Sequence, residues 1–518
     1  MMSRSESSRA IATSPVATAP PNEVRLRLRL GEAPTITTSS RILFAFIATV
    51  FIATRVWNLT AYGLFSDEVF SAQTASLNWT EMLRAVVQDV VHPPLFYILL
   101  KAWIALGGNG LVWMKWFPVA MAIASLIPFY WLCRELHLRP ATMNLALGFI
   151  AVNEYLVNYA QELRMYSLVF GLTCASMGIF ARVVNATENV WRPQLALFAV
   201  NLLLVYTHYY GWLIVGPELL FLLAANRRRA LWFAVSFALL VACFLPWAFV
   251  VTEAAIDKGG LGPNLNWNPR PALMDMLWHY VILNGPVYGR WKAIATIFST
   301  LLFFAPVLIW LRRVIKNREA NERAVFAWLA LLAFLPTITA FAASYALSQS
   351  IWGTRFLIIV APPYLLLLAL AAMQLEPHWL RRLVVMLMIA WVALSGGMQL
   401  SHRDKIAWEP LVHQMIQAEA GTAEITKVYT KQGVVGVTTQ YYLDRAQEKQ
   451  LHIEYVDDYD DPQDEHFWIA VLRYKHEHQP LPQVSLRVRG LVVGDVIAAY
   501  APGHSVLLIP VWRQRPPR

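Results

Sequence analysis

The sequence predicts an all-α polytopic membrane bundle of about eleven spans plus interfacial helices, followed by a small C-terminal α/β extramembrane domain. Three observations carry that expectation. Apolar side chains make up 57% of the 518 residues and charged ones only 15%, against roughly 25% charged in a soluble domain. The apolar residues come in repeated runs of about 17–24 residues, each long enough to span about 30 Å of hydrocarbon. Residues 401–518 lose that pattern and read instead as short strands, turns and a helix.

In chain order, residues 1–40 hold Ser, Thr, Pro, Ala and Arg without packable periodicity, and no apolar core lies beside a small-residue cleavage site. They are expected to form a disordered cytoplasmic tail, although the RLRLRL run at Arg25–Leu30 alternates like a strand. Spans are expected at about 41–57, 111–133, 141–159, 165–184, 194–208, 210–225, 230–251, 291–311, 324–347, 356–373 and 383–400. This division makes 41–400 the membrane domain and 58–110 its first external loop. It also leaves Arg134, Arg139, Arg227-Arg228-Arg229, Arg312, Arg313, Arg381 and Arg382 on the inside, as the positive-inside bias requires. The run Pro93–Gly108 is short, carries Lys101 and begins with Pro-Pro. Counting it as a span would invert those basic clusters, so it is expected to lie in the outer interface. The N-terminus is then cytoplasmic and residues 401–518 extracytoplasmic, in a multi-pass protein of the cytoplasmic (inner) membrane.

The net charge of +10 sits largely in short loops and does not indicate nucleic acid. The three cysteines, Cys133, Cys174 and Cys243, fall in or at the edge of spans and show neither disulfide framework nor metal spacing. In the C-terminal region, Lys427–Lys431, Leu451–Val456 and Phe467–Arg473 read as strands and Gly433–Asp444 as a helix. The acidic run at 457–466 reads as a solvated loop, with a calcium or acceptor site as the alternative.

With this topology an unusual set of polar residues shares the outer face: Asp67, Glu68, His92, Glu162, Arg164, Tyr166, His208, Tyr209, Tyr210 and Arg355. Each sits at a turn or close to a span end. Guanidinium groups suit phosphate because their planar fork donates two parallel charge-assisted hydrogen bonds. A carboxylate beside them suits removal of a proton from a hydroxyl. Each residue also has a structural alternative. Asp67 or Glu68 could be a helix cap, which Ser66 or Asp67 followed by apolar residues fits, and His92 before Pro-Pro fits a helix end. Arg164 and Arg355 fit anchors that snorkel to lipid headgroups. Glu162 and Arg164, two apart, can pair only through a turn. His208 fits interfacial packing, and Tyr209 and Tyr210 fit the aromatic belt. Glu218, mid-span after Pro217, is either functional or hydrogen-bonded to a neighbouring helix.

The ordered set SDE, HPPLFYILLKAW, QELRMYSL, THYYGWLIVGPELL and GTRFLIIVAPP resembles bacterial membrane glycosyltransferases of family 39. These are relatives of the protein O-mannosyltransferases and of the lipid A aminoarabinose transferase. The resemblance covers roughly residues 41–400. It rests on five motifs in order, since no one of them is specific. It implies the GT-C fold and a sugar donor carried on a polyprenyl phosphate. It also implies a glycan, lipid or protein acceptor and an inverting transfer with Asp67 as base and Glu68 beside it. It aligns His92-Pro93-Pro94 with the element that approaches the donor phosphate, where some relatives have Lys before the Pro. Glu162, Arg164 and Tyr166 match the turn between the third and fourth spans. Arg355 matches the basic residue opening a late span, as phosphate contact. Relatives in this branch usually need no metal, although Asp67 and Glu68 could together hold one divalent cation. A lipid or solute transporter with a charged outer cavity is the rival from another class.

Overall fold

The computed structural model describes residues 27–186, 190–225, 227–257, 268–287, 290–317, 319–401, 405–420, 425–456, 464–474, 491–501 and 504–513. Helix α1 (Thr38–Val56) leads into a loop bearing α2 (Ser66–Ser76), α3 (Trp79–Asp89) and α4 (Leu95–Gly107). The bundle then continues through α5 (Leu111–Ala124), α6 (Leu126–Glu135), α7 (Pro140–Val152), α8 (Glu154–Ala160), α9 (Tyr166–Asn185), α10 (Trp191–Thr207), α11 (Trp212–Ala225) and α12 (Arg227–Asp257). It closes with α13 (Leu273–Leu283), α14 (Lys292–Lys316), α15 (Ala320–Ala346), α16 (Ala361–Met373) and α17 (His378–Ser401). Short 3₁₀ turns at Tyr209–Gly211 and Phe356–Val360 open α11 and α16.

Among the described residues, eight helical stretches are long and apolar enough to cross a bilayer. This is a multi-pass membrane protein. The remaining three expected spans fall on shorter pieces: α7 broken from α8 at Asn153, α10, and α11 with its 3₁₀ turn. The stretch Phe356–Met373 is 94% buried and forms the centre of the bundle. A helix apolar on every side is stable there because neighbouring helices, not lipid, surround it. Helix α4 has 13 residues; at 1.5 Å per residue it extends about 20 Å, short of the hydrocarbon thickness. Helix α13 was not foreseen in the loop at 252–290, where its apolar run is only 11 residues.

The two ends of the bundle gather different loops. One end brings together the 65–67, 92, 161–164, 208–210 and 351–355 segments, described below. At the other, Arg313 and Glu376 pair at 3.6 Å and Arg182 and Glu135 at 3.6 Å. The expected tail needs correction on this same side. Residues 1–26 lie outside the described residues, but 27–37 form an ordered strap and α1 starts at Thr38. Leu28 is fully buried. Its N–H donates to Asn185 Oδ1 at 2.7 Å and its carbonyl accepts from Asn185 Nδ2 at 3.1 Å. Arg27 N–H donates to Asn321 Oδ1 at 3.1 Å. With the Leu30 N–H donating to the Leu136 carbonyl at 3.0 Å and Arg134 Nη1 to the Pro34 carbonyl at 3.3 Å, these bonds hold an extended segment that has no periodicity of its own.

The C-terminal region is a mixed α/β layer. Helices α18 (Trp408–Glu419) and α19 (Gly433–Arg445) accompany strands β1 (Thr426–Thr430), β2 (Leu451–Tyr455), β3 (His466–Tyr474), β4 (Val492–Val493), β5 (Ile497–Ala501) and β6 (His504–Trp512). The sheet order is β2-β1-β3-β6-β4, with β5 also on β6. The β1–β2 and β1–β3 pairs are parallel and the β6 pairs antiparallel. Alternation along β3 divides two cores. Trp468, Ala470 and Leu472 join the main hydrophobic core, whereas Phe467, Ile469 and Val471 face a second cluster with Leu507, Ile509 and Val511. The acidic run at 457–466 lies outside the described residues from 457 to 463.

Candidate active site

Helix α2 begins immediately after an extended Phe65. Its first turn holds two adjacent carboxylates with different surroundings. Glu68 is inward. One oxygen accepts the Phe65 N–H at 3.3 Å, the reach-back half of a capping box. The other accepts Lys115 Nζ at 2.7 Å and the Leu163 N–H at 2.8 Å. Burial alone would raise the Glu68 carboxyl; the Lys115 and Lys405 ammonium groups, with the Lys115 and Leu163 hydrogen bonds, together hold it below its ordinary value. Of the two carboxylates considered as a helix cap, Glu68 makes the capping contact.

Asp67 points outward, its side chain 43% exposed, and pairs with Arg355 Nη1 at 2.7 Å across 288 residues of sequence. Partial burial would raise its carboxyl, but the Arg164 and Arg355 guanidiniums hold it below the ordinary carboxylate range. A divalent cation bridging Asp67 and Glu68 would have to break both the Arg355 and the Lys115 pairs. Among the described residues no group of three or more His, Cys, Asp or Glu converges as a cation site.

Arg164 lies behind Asp67. Its Nη1 donates to the Asp67 carbonyl at 3.1 Å and to Ser71 Oγ at 3.0 Å. Its Nη2 sits 3.1 Å from His92 Nε2 and 3.3 Å from Nδ1, and Nδ1 also lies 3.1 Å from Asp89 Oδ2. With Nδ1–H donating to Asp89, Nε2 is the acceptor for Arg164. Burial, then the Arg164 charge, lower the His92 ring below its ordinary value and keep it neutral. His92 and Arg164 therefore brace α2 as a chain, Asp89–His92–Arg164–α2. The local sequence makes this possible. Helix α3 stops at a left-handed Val90 (φ 54°), and the Pro-Pro pair prevents any helix before Leu95.

His208 stacks edge-on with His92, centroids 5.8 Å apart, and packs on Phe356 at 5.2 Å. Its Nδ1 accepts the Tyr210 N–H at 3.1 Å, so the proton is on Nε2, which has no partner among the described residues. Burial, reinforced by His92 and Arg164, keeps this ring well below its ordinary value. Tyr210 donates to the Ile351 carbonyl and walls the site beside Phe356. Tyr209 turns the other way, donating to the Val90 carbonyl at 3.3 Å and accepting from Trp247 Nε1 at 3.2 Å. Tyr166 packs on Tyr159 (centroids 4.8 Å), and its buried hydroxyl is without a partner among the described residues. Glu162 faces Lys405 Nζ at 3.5 Å; burial raises its carboxyl, and Lys405 offsets this only in part. Glu218 lies apart, accepting from Ser176 Oγ at 3.4 Å.

The structure thus brings Asp67, Arg355, Arg164, His92, His208 and Tyr210 into one cluster and gives Glu68, Glu162 and Tyr209 scaffold contacts. Sequence reasoning missed Lys115, Ser71, Asp89 and Lys405. Lys115 carries a signal, a lone charge inside an apolar span. Asp89 carries a weaker one, a carboxylate one helical turn before His92.

No family model and no curated protein matches the sequence. Solved structures do match the fold. ArnT from Cupriavidus metallidurans in the apo state superposes with a TM-score of 0.53 at 14% identity, covering 91% of this chain and 98% of that one. The same protein bound to undecaprenyl phosphate gives 0.51 at 12% identity, with the same coverage. The archaeal oligosaccharyltransferase AglB from Archaeoglobus fulgidus, in complex with an inhibitory peptide and a dolichol-phosphate, gives 0.50 at 13% identity over 78% of this chain. This chain spans 63% of the length of AglB. At such identities the likeness establishes the fold: a GT-C-like helical membrane bundle with a C-terminal mixed sheet.

Proposed function

We propose that the chain is an inverting glycosyltransferase. It moves a sugar from a polyprenyl-phosphate donor to an acceptor at the outer face of the cytoplasmic membrane. The observation that carries this is the meeting of Asp67 and Arg355 at 2.7 Å, the carboxylate part-exposed beside buried, braced Arg164 and His92. Tyr166 Oη and His208 Nε2 are buried and, among the described residues, unpartnered, and His208 packs on His92, a pattern that suits a polar ligand. An isoprenoid phosphate is favoured because ArnT and AglB, which share the fold, were solved with undecaprenyl phosphate and dolichol-phosphate. An outer-face orientation is favoured because Arg134, Arg182 and Arg313 gather at the opposite end with the N-terminal strap.

In the proposed step, donor phosphate takes the Arg355 guanidinium and frees the Asp67 carboxylate. Asp67 accepts the proton of the acceptor hydroxyl as its oxygen bonds to the sugar C1. The C1–O bond to phosphate breaks on the opposite face, and its electron pair leaves with polyprenyl phosphate. Arg355 stabilises that charge, while Arg164 and His92 hold the catalytic helix in place. The leaving phosphate is already a weak base, so one carboxylate suffices where a glycosidase uses two. Asp67→Asn in proteoliposomes with labelled undecaprenyl-phosphate sugars tests the step. Loss of labelled product is expected, and undiminished transfer removes Asp67 from the mechanism. Movement of solute or lipid with no covalent product would favour a transporter instead.

A further inference from the structure

The C-terminal domain reaches the turn that carries Asp67. Tyr442 Oη donates to the Leu64 carbonyl at 3.0 Å. It lies so close over Gly63 that any Cβ there would collide with its hydroxyl. Trp408 stacks on Phe65, ring centroids 5.9 Å apart and 24° from parallel. Thr438 Oγ1 gives its own hydrogen to the Val434 carbonyl at 2.7 Å. Its lone pair accepts the Ser66 N–H at 3.1 Å, across 372 residues. Ser66 needs that help, since its φ is +22°, a value side-chain-bearing residues rarely adopt. Its N–H is also one of the orphan donors at the start of α2.

We infer that Thr438 and Tyr442 are positioning residues for the transfer step. The C-terminal domain fixes the 63–67 turn from above, as Arg164 fixes it from below, and so aims the Asp67 carboxylate at Arg355. The inference rests on the reading of Asp67 as the base. Without the Thr438 acceptor, Ser66 relaxes toward negative φ, the first turn of α2 rotates and the carboxylate swings away. Displacement of a reacting group by about 1 Å costs up to roughly a hundredfold in rate. The loss appears in kcat, because the donor-binding guanidinium is untouched.

The test uses the full-length protein in proteoliposomes, with labelled undecaprenyl-phosphate hexoses and pentoses as donor probes. Thr438→Val is isosteric but lacks the acceptor, and Thr438→Ser restores it. Thr438→Val is expected to lower kcat by between about tenfold and a hundredfold, with donor KM changed by less than about twofold. Thr438→Ser should return kcat close to wild type. Tyr442→Phe, which keeps the ring, should lose about tenfold and serves as the deciding variant should Thr438→Val fail to fold. Hydrogen exchange followed by mass spectrometry supplies a readout that needs no donor: amides 66–70 should exchange faster in Thr438→Val and not in Thr438→Ser. Wild-type kcat and exchange in both Thr438→Val and Tyr442→Phe would overturn the inference, as would equal losses in the Val and Ser variants. Asp67→Asn run alongside separates the two readings, because transfer surviving that change sinks the proposed chemistry itself.

Discussion

The two ends of the bundle handle charge in opposite ways. At the Asp67 end one pair is short and shielded: Glu68 and Lys115 meet at 2.7 Å with side chains only 6% and 2% exposed, while Asp67 and Arg355 meet at 2.7 Å part-exposed. At the other end Arg182 and Glu135 stand 3.6 Å apart with the arginine 55% exposed, and Arg313 and Glu376 are similarly loose. The energetics differ accordingly. Exposed pairs contribute about 0–1 kcal/mol, whereas removing one member of a buried pair costs about 3–5 kcal/mol. Burying paired charges at one end carries a desolvation cost that the exposed pairs at the other end avoid, and the proposed transfer site lies at the costly end.

The comparison can be broken or sharpened by experiment. The largest effect is expected for Asp67→Asn, about 10³-fold or more in kcat if Asp67 is the base, measured as labelled product per unit time. Next comes Lys115→Met, which strands the Glu68 carboxylate. A stability loss of about 3–5 kcal/mol is expected, read as a lowered thermal midpoint in detergent. Adding Glu68→Gln to Lys115→Met should recover much of it, and failure to recover would show that the pair is not what matters. Arg355→Gln should move the acidic limb of the pH–rate profile upward. The guanidinium helps hold the Asp67 carboxyl low, so the wild type keeps its base ionised to lower pH than the variant does.

A smaller, pH-dependent effect belongs to the C-terminal domain. His466 Nε2 meets Glu419 Oε1 at 2.8 Å while Nδ1 meets the Val511 carbonyl at 3.1 Å, so only the doubly protonated ring satisfies both acceptors. Partial burial would lower the His466 ring, but Glu419 raises it above its ordinary 6.5. Burial would raise Glu419, but its partners hold it below 4.5. The histidine contribution is present below pH 6.5 and fades as pH rises through the raised value. The glutamate contribution is present above pH 4.5 and fades as pH falls through the lowered one. His466→Gln should therefore cost roughly 1 kcal/mol near pH 5.5 and less near pH 8.5, by thermal unfolding. The smallest effect is expected from Arg182→Ala, under about 1 kcal/mol. A loss matching that of Lys115→Met would erase the contrast between the ends.

The membrane fold was legible because hydrocarbon imposes run length, and the expected spans each coincide with helices. Asp67, His92, Arg164 and Arg355 could be picked out because charge at a span end is costly enough to be informative. What the sequence hid was partnership. Nothing in Glu68 distinguishes it from Asp67 until Lys115 and the Leu163 amide appear beside it from elsewhere in the chain. Lys405 and Thr438 carry no local signal, because their value lies wholly in contacts hundreds of residues away. Strands β4–β6 escaped notice because β4 is two residues long and β5 and β6 lie beyond the last stretch read as a strand. The strap at 27–37 was misjudged because distant polar partners, Asn185 and Asn321, replace the periodic packing that sequence patterns reveal.

That strap has a consequence for biosynthesis. Leu28 leaves the ribosome before Asn185 and Asn321, which clasp it and its neighbour and follow 157 and 294 residues later. The strap therefore cannot reach its seat until the helices that carry both asparagines have been made. A chain whose later helices are not yet in place leaves Leu28 without these partners, so closure of the strap follows completion of the bundle.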